Sequence, residues 1–185
     1  MKLKTFLTIE LKDKNGKVLK TIRKECKSYV RQMIDALRIQ MCEVISDLKD
    51  TSGITRSMPA SGTTYWELAA AANSLFGIQV GTGTNAVTIS DYALQTLVAQ
   101  GNGSGQLDYG AMSIGTIVIV GSTAKFTLSR TFTNNSGADI TVQEVGLVYK
   151  ETNYNYYFMI ERTLLNFTIA NGTSGTVTYT ISVTA

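Results

Sequence analysis

The chain has 185 residues, a formal net charge of +3 and no histidine, which excludes a Cys/His zinc site and any His-assisted Ser or Cys nucleophile. Its length fits one domain, and a chain near this size buries about 70% of its unfolded surface. Charged residues make up 17%, below the roughly 25% of ordinary globular domains, a composition found in proteins that pack against neighbours and in plain polar-neutral β-proteins.

Residues 5–12 and 17–24 predict a β-hairpin around Asn15-Gly16, because a tight hairpin turn needs positive φ. Lys12, Lys14, Lys17, Lys20, Arg23 and Lys24 stud it. They are candidate partner contacts, and lysines on an edge strand also block edge-to-edge aggregation. Residues 27–49 switch period: Val30, Ile34, Leu37, Met41, Val44 and Leu48 form a heptad seam, with Ser28 as N-cap. The expectation is an amphipathic helix lying on a sheet, or else a helix that meets a partner. Residues 1–56 hold 13 Lys and Arg against 7 Asp and Glu, while residues 57–185 hold 4 against 7. A basic segment on an acidic body suits an acidic partner surface, protein or nucleic acid, or is simply solvated.

Residues 50–64 contain the single proline, Pro59, and read as a long loop and contact arm. Residues 57–77 then form a linker with a short helix or turn at Ala69-Ala70-Ala71-Ala72. Gly81-Thr82-Gly83 and Gly101-Asn102-Gly103-Ser104-Gly105 look superficially like phosphate loops, but neither is followed by Gly-Lys-Ser/Thr.

From Ser113 onward apolar and polar residues alternate in short runs. Phe126, Leu128 and Phe132 share one face; Tyr156, Phe158 and Ile160 share another, as do Val177, Tyr179, Ile181 and Val183. Period two makes strands whose apolar faces must pack together, hence a β-sandwich. The turn 134–139 is expected to join two neighbouring strands, with Thr133 opposite Ile140. The alternation slips between Val142 and Val145, which predicts a β-bulge and a cross-strand Arg130–Glu144 ion pair.

Cys26 and Cys42 make neither a C-x-x-C motif nor a disulfide framework, so reduced thiols and cytoplasmic synthesis are expected. No run approaches the ~20 apolar residues of a membrane span. Asp91, Asp108, Asp139, Glu144, Glu151 and Glu161 are scattered, with no calcium-loop spacing. Asp91 follows Ser90 in a turn, where local backbone bonding is the common role. Tyr154 and Tyr156, in an aromatic cluster with Tyr149, Tyr157 and Phe158, are candidate contacts for protein or sugar.

Several stretches from residue 78 onward resemble a loose family of tailed-phage and related virion structural proteins. They are Val80-Gly81-Thr82-Gly83-Thr84, Asp91-Tyr92-Ala93-Leu94, Leu107-Asp108-Tyr109-Gly110, Glu144-Val145-Gly146-Leu147, Glu161-Arg162-Thr163-Leu164 and Val177-Thr178-Tyr179-Thr180-Ile181. The resemblance implies a jelly-roll-like antiparallel sandwich over 78–185 in a particle, with no catalytic residues; residues 1–77 match nothing in that family, and the hairpin and helix of 1–56 are read as an appendage from the loop that follows them. The expected role is a non-enzymatic virion component, a decoration or minor capsid protein, with tail, neck or fibre attachment as the alternative. Other virion proteins, the major capsid protein first among them, are the expected partners. Self-association is expected too, with no cofactor, metal or membrane. A carbohydrate-binding module needs exposed coplanar aromatics among 154–158, and a glycosidase needs paired carboxylates about 5–10 Å apart.

Overall fold

Alternation becomes burial along the closing strands. In β12 (Ser174–Thr184), Val177 and Tyr179 are fully buried, while Thr176, Thr178 and Thr180, which alternate with them, are only half-buried. The computed structural model describes residues 2–42, 44–59 and 68–185, and these form a mainly antiparallel β-sandwich with one helix.

The first sheet runs β2 (Val18–Cys26), β1 (Lys2–Lys12), β12, β9 (Thr123–Thr133) and β6 (Asp108–Tyr109). Two further short strands, β7 (Ser113–Ile114) and β8 (Val118–Val120), also pair with β9. The second sheet is β11 (Tyr156–Ile169), β10 (Ile140–Glu151) and β5 (Gly77–Gly81). A separate hairpin joins β3 (Ser46–Lys49) and β4 (Thr55–Met58), and α1 spans Arg31–Cys42. Strands β9 and β12 pair in one sheet while β10 and β11 pair in the other. The four strands are therefore one long hairpin bent across both sheets, which is jelly-roll winding.

Between the sheets lie Leu7, Ile9, Leu128, Phe132, Val177 and Tyr179, packed with Val142, Val145, Leu147, Phe158, Phe167 and Ile169. Each such side chain contributes about 1.5–3 kcal/mol by leaving water. Strand β11 is buried continuously from Phe158 to Thr163 because it is covered on both faces. The outer face carries a second apolar cluster of Val30, Ala69, Phe76, Leu94, Val148 and Met159.

Several sequence expectations need correction. The N-terminal hairpin is no appendage: β1 pairs with β12 from Lys2↔Thr184 to Lys12↔Ser174, so the boundary expected after residue 56 does not divide the sheets. The helix is shorter than residues 27–49. Ser28 is not its cap but sits in a strand-like segment on β11, its carbonyl accepting from Arg162 N at 3.2 Å. The segment 50–54 is the turn of the β3–β4 hairpin, organised by Asp50, which accepts Ser52 N at 3.0 Å and Ile54 N at 2.9 Å. Of the remainder of the expected contact arm, Thr55–Met58 form β4, and residues 60–64 lie outside the described residues. Of the short helix or turn expected at Ala69-Ala70-Ala71-Ala72, the structure has the turn, at 71–72. The bulge is present, since the β10–β11 register shifts between Val142 and Glu144. The turn 134–139, however, crosses from one sheet to the other, so Arg130 and Glu144 are not cross-strand neighbours and form no ion pair.

Candidate interaction surfaces and the buried charge network

Polar groups that could do chemistry are mostly held by one another. Glu144 is fully buried and its carboxylate accepts from Gly83 N at 3.0 Å, Thr96 N at 2.8 Å, Gln95 N at 3.1 Å and Arg162 Nε at 2.7 Å. Gly83 is required there: a Cβ would stand 2.4 Å from Gln95 Cβ and 2.5 Å from Glu144 Oε1. Of Gly81-Thr82-Gly83 only the Gly83 N–H meets an anion, and that anion is internal; the other backbone donors to Glu144 are Gln95 and Thr96, while Thr82 N donates to Thr96 O at 2.9 Å. Arg162 continues the network with Nη1 on Asp91 Oδ2 at 2.8 Å and Nη2 on Asn85 O at 3.1 Å. Burial alone would raise the Asp91 pKa, but Thr88 and Arg162 outweigh it and hold the carboxyl below its ordinary value.

Arg130 is also out of water, with no carboxylate on it among the described residues. Its Nε donates to Gly110 O at 2.8 Å, Nη1 to Phe76 O and Ile78 O at 3.1 Å each, and Nη2 to Ala70 O at 3.1 Å and to Asn73 O. Its guanidinium lies 4.8 Å from the Tyr109 ring centroid. Burial pushes its pKa down to about 10, so it remains a cation at neutral pH. The planar fork straps residues 70–78 to the first sheet, a use that a lysine could not copy.

Glu161 sits in a third buried site. Thr163 Oγ1 and Tyr179 OH donate to its carboxylate, and Cys26, Tyr29 and Lys24 are its other neighbours. Burial raises its pKa to about 7. Burial, with Glu161 adding to it, raises the Cys26 thiol to about 12, so this cysteine is not a nucleophile at neutral pH. Cys26 and Cys42 are both free thiols, and Cys42 is exposed.

A shallow polar groove of about 610 Å³ is lined by Lys49, Asn85, Thr88, Ser90, Asp91 and Arg162 among others. Lys49 Nζ lies 4.3 Å from the Tyr92 ring centroid, and Thr88 Oγ1 bonds both Asp91 Oδ1 at 2.7 Å and Ser90 Oγ at 3.1 Å. Among the described residues no three His, Cys, Asp or Glu come together to hold a metal. No helix among them is long and apolar enough to cross a membrane.

The basic set lies on the β1–β2 hairpin and the tyrosine pair on the β10–β11 hairpin, in different sheets. Lys14, Lys17, Lys20 and Arg23 are exposed. Lys12 pairs with Glu10 at 3.1 Å, the Arg23 guanidinium lies 4.4 Å from the Phe6 centroid, and Lys24 Nζ donates to Leu164 O, so the last of these ties β2 to the other sheet. Tyr154 and Tyr156 stack on each other at 5.7 Å and 15°, and Arg56 lies 4.1 Å from the Tyr156 centroid. Tyr156 is thus held between Tyr154 and Arg56, while Tyr154 itself is 55% exposed.

Two apolar surfaces stand in water, one on β8 that the sequence reading missed and one on α1 that matches its alternative of a helix with its seam turned outward. In β8 and the residue before it, Ile117, Val118, Ile119 and Val120 are 73%, 45%, 73% and 62% exposed. On α1, the seam residues Ile34, Leu37 and Met41 face outward, while Gln32, Asp35, Ala36 and Ile39 are buried. Hydrogen bonds set that rotation: Gln32 Nε2 donates to Lys49 O at 3.3 Å and Asp91 O at 3.2 Å, and Arg31 N to Ile89 O at 2.9 Å. The four-residue run Ile117-Val118-Ile119-Val120 did not announce its exposure, because the equally continuous apolar run Tyr157-Phe158-Met159-Ile160 lies in the buried strand β11.

Comparison with family models, with curated proteins and with solved structures returns no match.

Proposed function

We propose that this chain is a non-enzymatic structural component of a virus particle, a capsid-associated decoration or minor capsid protein. One observation carries the reading. The described body is braced by internally satisfied ions, while large aliphatic side chains stand in water on β8 and on α1. Apolar patches of this kind mark association surfaces. The motif resemblance from residue 78 onward supplies the particle, and the exposed lysines of β2 supply a second, electrostatic contact. The mechanism is multivalency: a modest contact per copy becomes strong when many copies share one symmetric shell. Tail, neck or fibre attachment uses the same physics at low copy number.

The test is add-back. Purified chain is mixed with particles that lack it, and bound protein is measured as a function of concentration and salt. Saturable binding to intact shells supports the capsid role. Binding to tails alone moves the assignment to the alternative, and no binding to any particle overturns it.

A further inference from the structure

We propose that the outer edge of β8 is where two copies of this chain join, antiparallel and about a two-fold axis; this rests on the reading that the chain works by association. The two free edges of the first sheet are built differently. Strand β2 carries Lys20, Arg23 and Lys24, the usual guard against strand addition. Strand β8 carries no charge at all, and both its faces are exposed. Its pairing with β9 ends at Val120↔Thr123 across the Gly121-Ser122 turn. In such a two-residue hairpin the closing pair exchanges its bonds inward. Alternation then sends the N–H and C=O of Ile119 to the open edge, where another strand can take them.

Further exposed apolar side chains share this end of the sheet: Ile114, 57% exposed, lies on the same edge of β9, and Leu3, 56% exposed, lies on β1 in the row Leu3↔Val183↔Ala124↔Ile119, with β12 and β9 between it and β8. Leu3 and Ile117 also border an apolar groove completed by Phe126, Ile181 and Val183. Edge pairing sets the Ile119 side chains of two copies and their neighbours side by side across the junction while leaving both sheet faces open, so the contact is small and the dimer is expected only at micromolar concentration. The occupant follows from charge. Joining β8 to β2 of another copy would bring lysines into the junction, whereas β8 against β8 is neutral on both sides, and a two-fold axis lets the same short strand pair with itself antiparallel.

Sedimentation velocity of the purified full chain across the micromolar range tests this. The expected result is a concentration-dependent dimer. Ile119→Lys weakens it by more than about a hundredfold with an unchanged circular dichroism spectrum, Ile117→Glu does the same, and Lys20→Ala leaves it intact. A wild-type chain that stays monomeric throughout overturns the proposal, and so does a dimer that both β8 variants leave unaffected. The particle reading is tested separately: a monomer that still binds shells removes only the β8 dimer, and a β8 dimer that binds no particle removes only the particle.

Discussion

Arg162 Nε stands 2.7 Å from Glu144 Oε2, with the Arg162 side chain 3% exposed and the Glu144 side chain not exposed at all. The pair fastens β10 to β11 beside the 81–96 loop, because Glu144 also accepts three backbone N–H groups from that loop. Removing one member of a buried pair leaves an uncompensated charge, which costs about 3–5 kcal/mol. Arg162→Leu is expected to lose that much in urea unfolding. The double change Arg162→Leu with Glu144→Leu does not restore the wild-type value, since it strands the N–H groups of Gly83, Gln95 and Thr96. Full recovery in the double variant would show that the loop does not depend on the carboxylate.

Arg130→Met removes the donors that serve five carbonyls between residues 70 and 110. Each buried orphan costs about 1–3 kcal/mol, so the loss exceeds ~3 kcal/mol even if some regain water. Hydrogen exchange should quicken first in residues 70–78. Tyr109→Phe, which gives up the 2.6 Å bond to Val98 O, should cost only about 1 kcal/mol. Equal losses in the two variants would contradict the strap role.

How much of this was legible depends on range. Strands were readable because period two is local, and the bulge before Val145 was readable as a slip in that period. The rule that Arg130 needs a partner was sound, since it lies in phase with apolar residues. Its partners were not readable, because they are carbonyls up to 60 residues away in sequence. Gly81-Thr82-Gly83 was read as only superficially like a phosphate loop, and the carboxylate that its Gly83 N–H meets, Glu144, was not readable because it lies 61 positions further on. On α1 the seam was visible, but the side that faces the body is fixed by Gln32 and by residues 28–30 on β11, which periodicity does not contain.

That rotation of α1 is itself testable. Ile34→Ser and Met41→Ser, at 64% and 79% exposure, should change stability by no more than ~0.5 kcal/mol. Ile39→Ala, fully buried, should cost about 2–5 kcal/mol. Thiol alkylation of the native chain should modify Cys42 and spare Cys26. The reverse order in either experiment would place the seam against the body.

Glu161 gives stability a pH dependence of definite sign. Its folded pKa is raised from 4.5 to about 7. The unfolded chain therefore loses its proton first, and stability falls as pH rises from about 4.5 to about 7. The total is on the order of 3 kcal/mol. Asp50 and Asp91, whose pKa values are lowered, act in the opposite sense, their contribution fading as pH falls below about 4. Glu161→Gln should flatten the upper window and be more stable than wild type at pH 8, by urea unfolding at both ends. An unchanged slope in the variant would assign the effect elsewhere.

The central claim is that this chain works by shape and adhesion inside a repeated assembly. Its most direct test is absolute quantification of the chain by mass spectrometry in particles purified from the producing host. The account predicts a fixed stoichiometry to the major shell protein, a simple ratio set by the shell's symmetry and retained through high-salt washing. A chain found only free of particles, or in amounts that vary from one preparation to the next, would contradict it.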